Sequence, residues 1–303
     1  MAQERSGIVM VGSANMDIVF TVERIPQPGE TLLAESVATY PGGKGLNQAV
    51  AAARAGAPTT FVGSLGRDEH GGELAVTMTD AGIDRTLVRS SAAPTGQAFI
   101  VVADSAENTI IVASGANAEV TALTEPERAA IASASVLLMQ LELPIGVVTE
   151  AAQVAKSAGT TVMLNAAPAR ELPDELISAV DCLIVNEHEA CLIGGSDDLA
   201  EASARLAARV DRLIVTLGSD GSALYEGGVE LARVPARRVD AVDTTGAGDT
   251  YCGAFAAAIA EGRDLESSAA FATAAAALSV QALGAVPSIP GRDRIEAMLA
   301  EPL

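Results

Sequence analysis

The sequence predicts an α/β protein: a central, mostly parallel sheet with helices on both faces. Three observations predict it. Short runs rich in Val, Ile and Leu alternate with alanine-rich segments whose apolar residues recur at helical spacing. Those runs are apolar throughout rather than alternating, as strands covered on both faces are. Polar residues then recur just where the runs stop, and in open α/β sheets ligands bind at that carboxyl edge.

In chain order, the strand candidates are GIVMVG (7–12), TTFVGSLG (59–66), SVLLMQLE (135–142), TTVMLNAAP (160–168), CLIVNEHE (182–189) and RLIVTLG (212–218). Helices are expected over GLNQAVAAARAG (45–56) and LAEASARLAARV (199–210). Two segments break this pattern. Residues 17–40 and 96–117 read as extended, alternating strands, the second with a polar turn at Asp104 to Asn108. They are expected to form a small antiparallel sheet beside the main one, serving as a lid or dimer surface or merely as ornamental hairpins. Residues 267–290 carry no charge, and their length alone would permit a membrane span. Alanine dominates, however, Gln281 interrupts, and two prolines close the stretch, so a buried helix and a loop are expected. No repeat or low-complexity linker divides the chain, so one domain is expected over residues 1–303, with lid segments near 18–40 and 94–113.

Composition excludes several functions. The net charge of −20 opposes a nucleic-acid partner, which needs a basic face, but does not describe a local pocket. Cys182, Cys191 and Cys252 lack CxxC spacing and read as small buried residues of a cytosolic protein. The N-terminal apolar run is broken by Asn15 and Asp17, unlike a signal peptide. No strand is followed by GxGxxG, which disfavours a nicotinamide enzyme, and GxxxxGK[ST] is not satisfied around Lys44. No Ser sits in a GxSxG elbow, zinc-ligand spacings are missing, and the two histidines, His70 and His188, read as surface residues.

Asn15, Asp17, Glu142, Asn165, Asn186, Thr216 and Asp243 all fall at or just past a strand end, and seven on one edge make a site. Gly42, Gly43 and Gly45 let the backbone approach a ligand, or form a plain turn. The stretch DTTGAGDTYCGAF (243–255) puts two glycines and a carboxylate where a helix begins. Glycine in a helix costs about 1 kcal/mol against alanine, so helix stability does not explain them. Free amides and the positive helix end would bind an anion, and Asp249 beside it would take a proton from an incoming hydroxyl, as phosphoryl transfer to an alcohol requires. A carboxylate placed there only for the helix dipole is the rival reading.

DTTGAGDTYCGAF and GGKGLNQAVAAARAGA (42–57) resemble the two signatures of the ribokinase (PfkB) family of carbohydrate kinases. GSANMDIV, LLMQLELP, LNAAPARELPDEL, NEHEA, VTLGSDG and GAVPSIP resemble further blocks of that family, in its order, across nearly the whole chain.

The resemblance implies a ribokinase-like, Rossmann-type sandwich with a β lid, and ATP-dependent phosphorylation of D-ribose at its 5-hydroxyl. Asp249 would be the base, and the amides of Gly246, Ala247 and Gly248 the anion hole. Asn15, Asp17, Gly42, Gly43, Lys44, Asn47 and Glu142 would hold the sugar. Thr216, Gly218, Ser219, Asp220, Gly221, Gly248 and Thr273 would receive ATP. Asn186 and Glu189 would organise Mg²⁺ through water, Asn186 also meeting the nucleotide. K⁺ would sit among Asp243, Thr245, Ser279, Ala282, Gly284 and Ser288. A cytoplasmic homodimer paired through the lid is implied, with no nucleic-acid or membrane partner. Asn15 favours ribose over 2-deoxyribose, because an Asn robbed of its hydroxyl partner loses about 1–3 kcal/mol. Leu46 and Thr273 depart from the commonest family residues and bear on affinity. A kinase for a related pentose or nucleoside, such as 2-deoxyribose or adenosine, and a non-catalytic sugar sensor are the alternatives. The sensor predicts decay at the base or anion hole, and neither is decayed.

Overall fold

The computed structural model describes residues 7–105 and 107–301. Ala106, in the expected turn at 104–108, lies outside the described residues, as do 1–6, 302 and 303 of the expected 1–303 domain. The strands are β1 (Ile8–Val11), β2 (Asn15–Val22), β3 (Ser36–Gly42), β4 (Thr59–Gly66), β5 (Val88–Ser91), β6 (Gly96–Ala103) and β7 (Asn108–Ala113). They continue with β8 (Val136–Met139), β9 (Thr161–Asn165), β10 (Cys182–Asn186), β11 (Arg212–Thr216), β12 (Ser222–Glu226) and β13 (Val229–Val234). The helices are α1 (Lys44–Arg54), α2 (Glu69–Asp80), α3 (Glu125–Ser133), α4 (Ile145–Ala158), α5 (Asp174–Ile177) and α6 (Glu187–Gly194). After them come α7 (Leu199–Ala207), α8 (Ala247–Ala260), α9 (Leu265–Ser279), α10 (Ala285–Ser288) and α11 (Arg292–Ala300).

Among the described residues, nine strands form one sheet in the order β13-β12-β11-β10-β9-β8-β1-β4-β5, parallel from β11 through to β5. All four residues of β1 are buried, because both faces are covered. Ile8 and Met10 pack with α1, α8 and α9, while Val9 and Val11 pack with α3 and α4. The core is built from small residues, and α1 and α8 come close enough that a Cβ on Gly253 would lie 2.6 Å from the Ala51 methyl. That approach brings the polar residues of α1 against those of α8. Residues 265–279 are a buried helix as expected, and no helix of the described residues is long and apolar enough to cross a membrane.

The fold differs from the sequence expectations in several places. The small sheet, ordered β3-β2-β6-β7, is mixed rather than antiparallel: two hairpins join through the parallel pair β2–β6. Both first strands leave the same edge of the main sheet, so they run the same way, with Asn15 opposite Gly96. The antiparallel hairpin β12–β13 extends the main sheet beyond the parallel strands. Cys191 is half-buried rather than buried, unlike Cys182 and Cys252. His70 is half-buried, its Nδ1 enclosed without a hydrogen bond, whereas His188 is exposed.

Candidate active site

Because β1, β8, β9, β10 and β11 run parallel, their carboxyl ends share one edge, where Glu142, Asn165, Asn186 and Thr216 gather. Helix α8 starts beside that edge. Its N-cap, Gly246, has φ 74°, a left-handed conformation natural only to glycine, and a Cβ there would also lie 2.9 Å from the Ala285 methyl. The turn leaves the Gly248 and Asp249 amides without a hydrogen-bond partner among the described residues. The amide of Ala247, expected in the anion hole, instead donates to the Thr244 carbonyl at 3.2 Å and closes the turn.

Asp249 is buried in the first turn of α8. Asn47 Nδ2 donates to its Oδ2 at 3.0 Å, and Gln48 Nε2 donates to its Oδ1 at 2.9 Å. Asn47, expected to close the sugar pocket, therefore holds the expected base, while its own Oδ1 is buried without a partner. Lys44, at the start of α1, is held above its usual range by the Asp249 charge, against burial, with help from Glu142 and Glu189.

On the other side, Glu142 Oε2 accepts from the Ser13 hydroxyl at 2.5 Å and from the Lys44 amide at 3.2 Å. Burial, then the Glu142 and Asp249 charges, push the Asp17 carboxyl up to about 7, with Lys44 acting against them. A side chain at Gly42 would overlap that carboxyl, and one at Gly43 would meet the Asn15 amide nitrogen at 2.7 Å. Asn15 Oδ1 accepts from Asn117 Nδ2 at 2.8 Å, and Asn117 is itself fixed by the Ala14 amide at 3.1 Å and the Ala14 carbonyl at 3.2 Å. With its oxygen taken, Asn15 has its NH₂, a donor, left for another partner.

Two cavities meet at Thr216 and Gly248. One, of about 220 Å³, is lined by Lys44, Asn186, Glu189, Asp249 and Gly246 among others. The other, of about 580 Å³, is lined by Gly218, Ser219, Gly221, Thr244, Ala247 and Thr273, with Val280 and the 236–239 segment closing it. Thr273 Oγ1 is buried there without a hydrogen-bond partner. Asp220 is exposed and lines neither cavity. Asn186 caps α6 and accepts from the Glu189 amide at 2.8 Å, while Glu189 accepts from the Asn186 amide at 2.9 Å. Burial raises the Glu189 carboxyl above its ordinary range, against the Asn186 amide and Lys44.

Asp243 ties two loops together. Its carboxylate accepts from the Thr245 amide at 2.9 Å and the Gly284 amide at 2.8 Å. Partial burial pushes this carboxyl up, but the hydrogen bonds from Thr245 and Gly284 outweigh it and hold the group below its ordinary value. Ser279 and Ser288, on either side of Gly284 in the chain, are buried, each donating its hydroxyl to a backbone carbonyl at 2.8 Å. Every ligand atom this segment offers is oxygen, which suits a hard monovalent cation.

Sequence reasoning missed Ser13, Gln48, Asn117 and Gln140 as site residues, and Arg238 in the wall of the larger cavity. Gln48 and Gln140 did leave a signal: each is a polar residue in a segment otherwise expected to be buried.

The sequence matches the model of a family described as pfkB family carbohydrate kinase over residues 5–292. A ribokinase of Haemophilus influenzae is 41% identical over 296 residues, spanning 95% of this chain and 96% of that protein. A ribokinase of Bacillus subtilis is 39% identical over 297 residues, spanning 97% and 99%. The structure of Arabidopsis thaliana ribokinase complexed with ribose and ATP matches with a TM-score of 0.92 at 36% identity, covering 98% of this chain and all of that one.

Proposed function

The chain belongs to the pfkB family of carbohydrate kinases, and from that membership we propose that it transfers the γ-phosphoryl group of ATP to the 5-hydroxyl of D-ribose, yielding D-ribose 5-phosphate and ADP. The observation that carries this reading is Asp249: a buried carboxylate, clamped by two amides, beside a helix start with free N–H groups and the junction of two cavities.

In this reading Asp249 takes the proton of the 5-hydroxyl as that oxygen bonds to the γ-phosphorus. The bond from phosphorus to the β,γ-bridging oxygen breaks, and ADP departs with that electron pair. The Gly248 amide, with Gly246 beside it, and Lys44 face the charge that grows on the transferring group; the amide of Ala247 joins only if its bond to Thr244 opens. Asp17 and Glu142 accept hydrogen bonds from sugar hydroxyls, and Asn15, turned by Asn117, donates one; Gly42, Gly43 and Asn47 complete the wall. Asn15 is the basis for ribose over 2-deoxyribose. ATP occupies the larger cavity, its base against Thr273 and the Gly218–Gly221 loop, with Asp220 left outside.

Mg²⁺ fits the smaller cavity only with partners beyond the protein. Glu189 has one oxygen committed to the Asn186 amide, and the described residues hold no group of three or more His, Cys, Asp or Glu side chains suited to a metal. Asn186 and Glu189 would hold the ion through water, and it would offset charge on the β- and γ-phosphates. K⁺ would lie among Asp243, Ser279, Ser288 and the carbonyls of Thr245, Ala282 and Gly284, steadying the loop that begins α8. The chain works as one catalytic unit with the small sheet as its lid. Two lids pair subunits through β7, whose residues are all exposed, Ile111 at 65%. The three unpaired cysteines support a cytoplasmic location, which recovery from a secreted or membrane fraction would contradict.

The test is ATP-to-ADP turnover with Mg²⁺, offering D-ribose, 2-deoxyribose, fructose and adenosine in parallel, in K⁺ and in a large organic cation. Preference for ribose and stimulation by K⁺ are expected. Preference for another acceptor would discard the pocket assignment, and indifference to the cation would remove the K⁺ site.

A further inference from the structure

A line of buried side-chain amides runs through the core to Asp249, and its polarity is set from one end. The Ile184 carbonyl accepts from Asn165 Nδ2 at 3.2 Å, which turns Asn165 Oδ1 the other way. That oxygen accepts from Gln48 Nε2 at 3.0 Å, and the same nitrogen donates to Asp249 Oδ1 at 2.9 Å. Both hydrogens of the Gln48 NH₂ are thereby used. Gln48 Oε1 is left facing Gln140, whose Nε2 donates to it at 2.5 Å and also lies 3.1 Å from Met10 Sδ. Gln140 Oε1 ends the line, buried and without a partner. Turning Gln140 over would set two carbonyl oxygens against each other, so the fold tolerates one orphaned acceptor to keep the line in one direction.

Gln48 and Gln140 are 0% and 1% exposed, and neither lines the cavities beside the base. A buried site that only needed filling would take an apolar residue more cheaply than two amides. Asn47 and Gln48 are also consecutive on α1, and they hold opposite oxygens of one carboxylate on α8. Together they fix its rotation, which decides which lone pair faces an incoming hydroxyl.

We infer that Gln48 is a positioning residue for Asp249, and that Gln140, by donating to Gln48 Oε1, holds Gln48 in that direction. The inference rests on Asp249 acting as the base. Gln140 acts only through Gln48, so the two must be coupled.

The test uses Gln48→Met, Gln140→Met and the double variant of the full chain, each checked for melting temperature and sugar binding, with Asp249→Asn alongside. Misaiming the carboxylate is expected to lower kcat about tenfold in Gln48→Met and about fivefold in Gln140→Met, with KM for sugar and ATP within about twofold. The double variant should be no slower than Gln48→Met alone. Unchanged kcat in Gln140→Met, or a double-variant loss equal to the product of the single losses, overturns the inference. If Asp249→Asn collapses turnover while both glutamine variants keep theirs, the base stands and the positioning role falls. Near-normal turnover in Asp249→Asn overturns both. Should Gln48→Met fail to fold, the kcat and KM of Gln140→Met alone decide.

Discussion

Asp17 is held where a carboxylate ionises reluctantly, pushed to about 7 by burial, then Glu142, then Asp249. A folded-state value above the unfolded one means that the folded chain holds this proton more tightly between roughly pH 4 and 7. Asp17 therefore favours the folded state at low pH, and that contribution is lost as pH rises through 7. Replacing it by Asn should raise Tm near pH 8 by about 3 °C or more, with the gain vanishing below about pH 4, while sugar affinity is lost. In the unaltered protein, KM for the sugar should climb as pH falls below 7, approaching tenfold per unit, because the protonated group gives up acceptor capacity. A Tm difference independent of pH, or a flat KM, would contradict this role. Asp17, Asn15 and Asp249 are legible in the sequence because each is a polar residue beside a glycine-rich turn or a strand end. Ser13 and Asn117 are not, and Gln48 and Gln140 show only as polar residues in buried segments, since each joins the site through partners that lie 92 to 201 residues away.

At the scale of elements, the proposed chemistry rests on the start of α8. Around Gly248 no atom beyond its chain neighbours and its own helix backbone lies within 4 Å of where a Cβ would stand, yet this residue borders both cavities. Gly248→Ala should leave stability unchanged or higher by up to about 1 kcal/mol of helix propensity, while raising KM for ATP and lowering kcat about tenfold or more. A melting temperature that falls with activity would mean that the glycine serves the fold rather than the ligand. The six parallel strands with continuous apolar runs are legible because a strand buried on both faces needs nothing but apolar side chains. The hairpin β12–β13 was not: its outer strand is largely exposed, with Val229 at 66%, so its composition lacks that signature. The parallel pairing of β2 with β6 was hidden as well, because it depends on two segments leaving the same edge of the sheet, which neither segment's own pattern records.

At the scale of the molecule, one large sheet supplies the edge where the reaction is proposed, and the mixed sheet carries Asn15 and Asp17 on β2. Its outer strand exposes Ile110, Ile111 and Val112, an apolar strip that pairing of two copies would cover. Ile111→Asp should convert a dimer to a monomer in analytical ultracentrifugation, and a wild-type chain that sediments as a monomer at all concentrations would contradict lid pairing. The most direct test of the whole account is ribose-dependent ATP turnover by the Asp249→Asn variant, with sugar binding measured on the same sample. Turnover lower by about two orders of magnitude or more, with sugar binding retained, is the predicted result. Near-normal turnover would contradict it, whatever the sugar preference of the wild type.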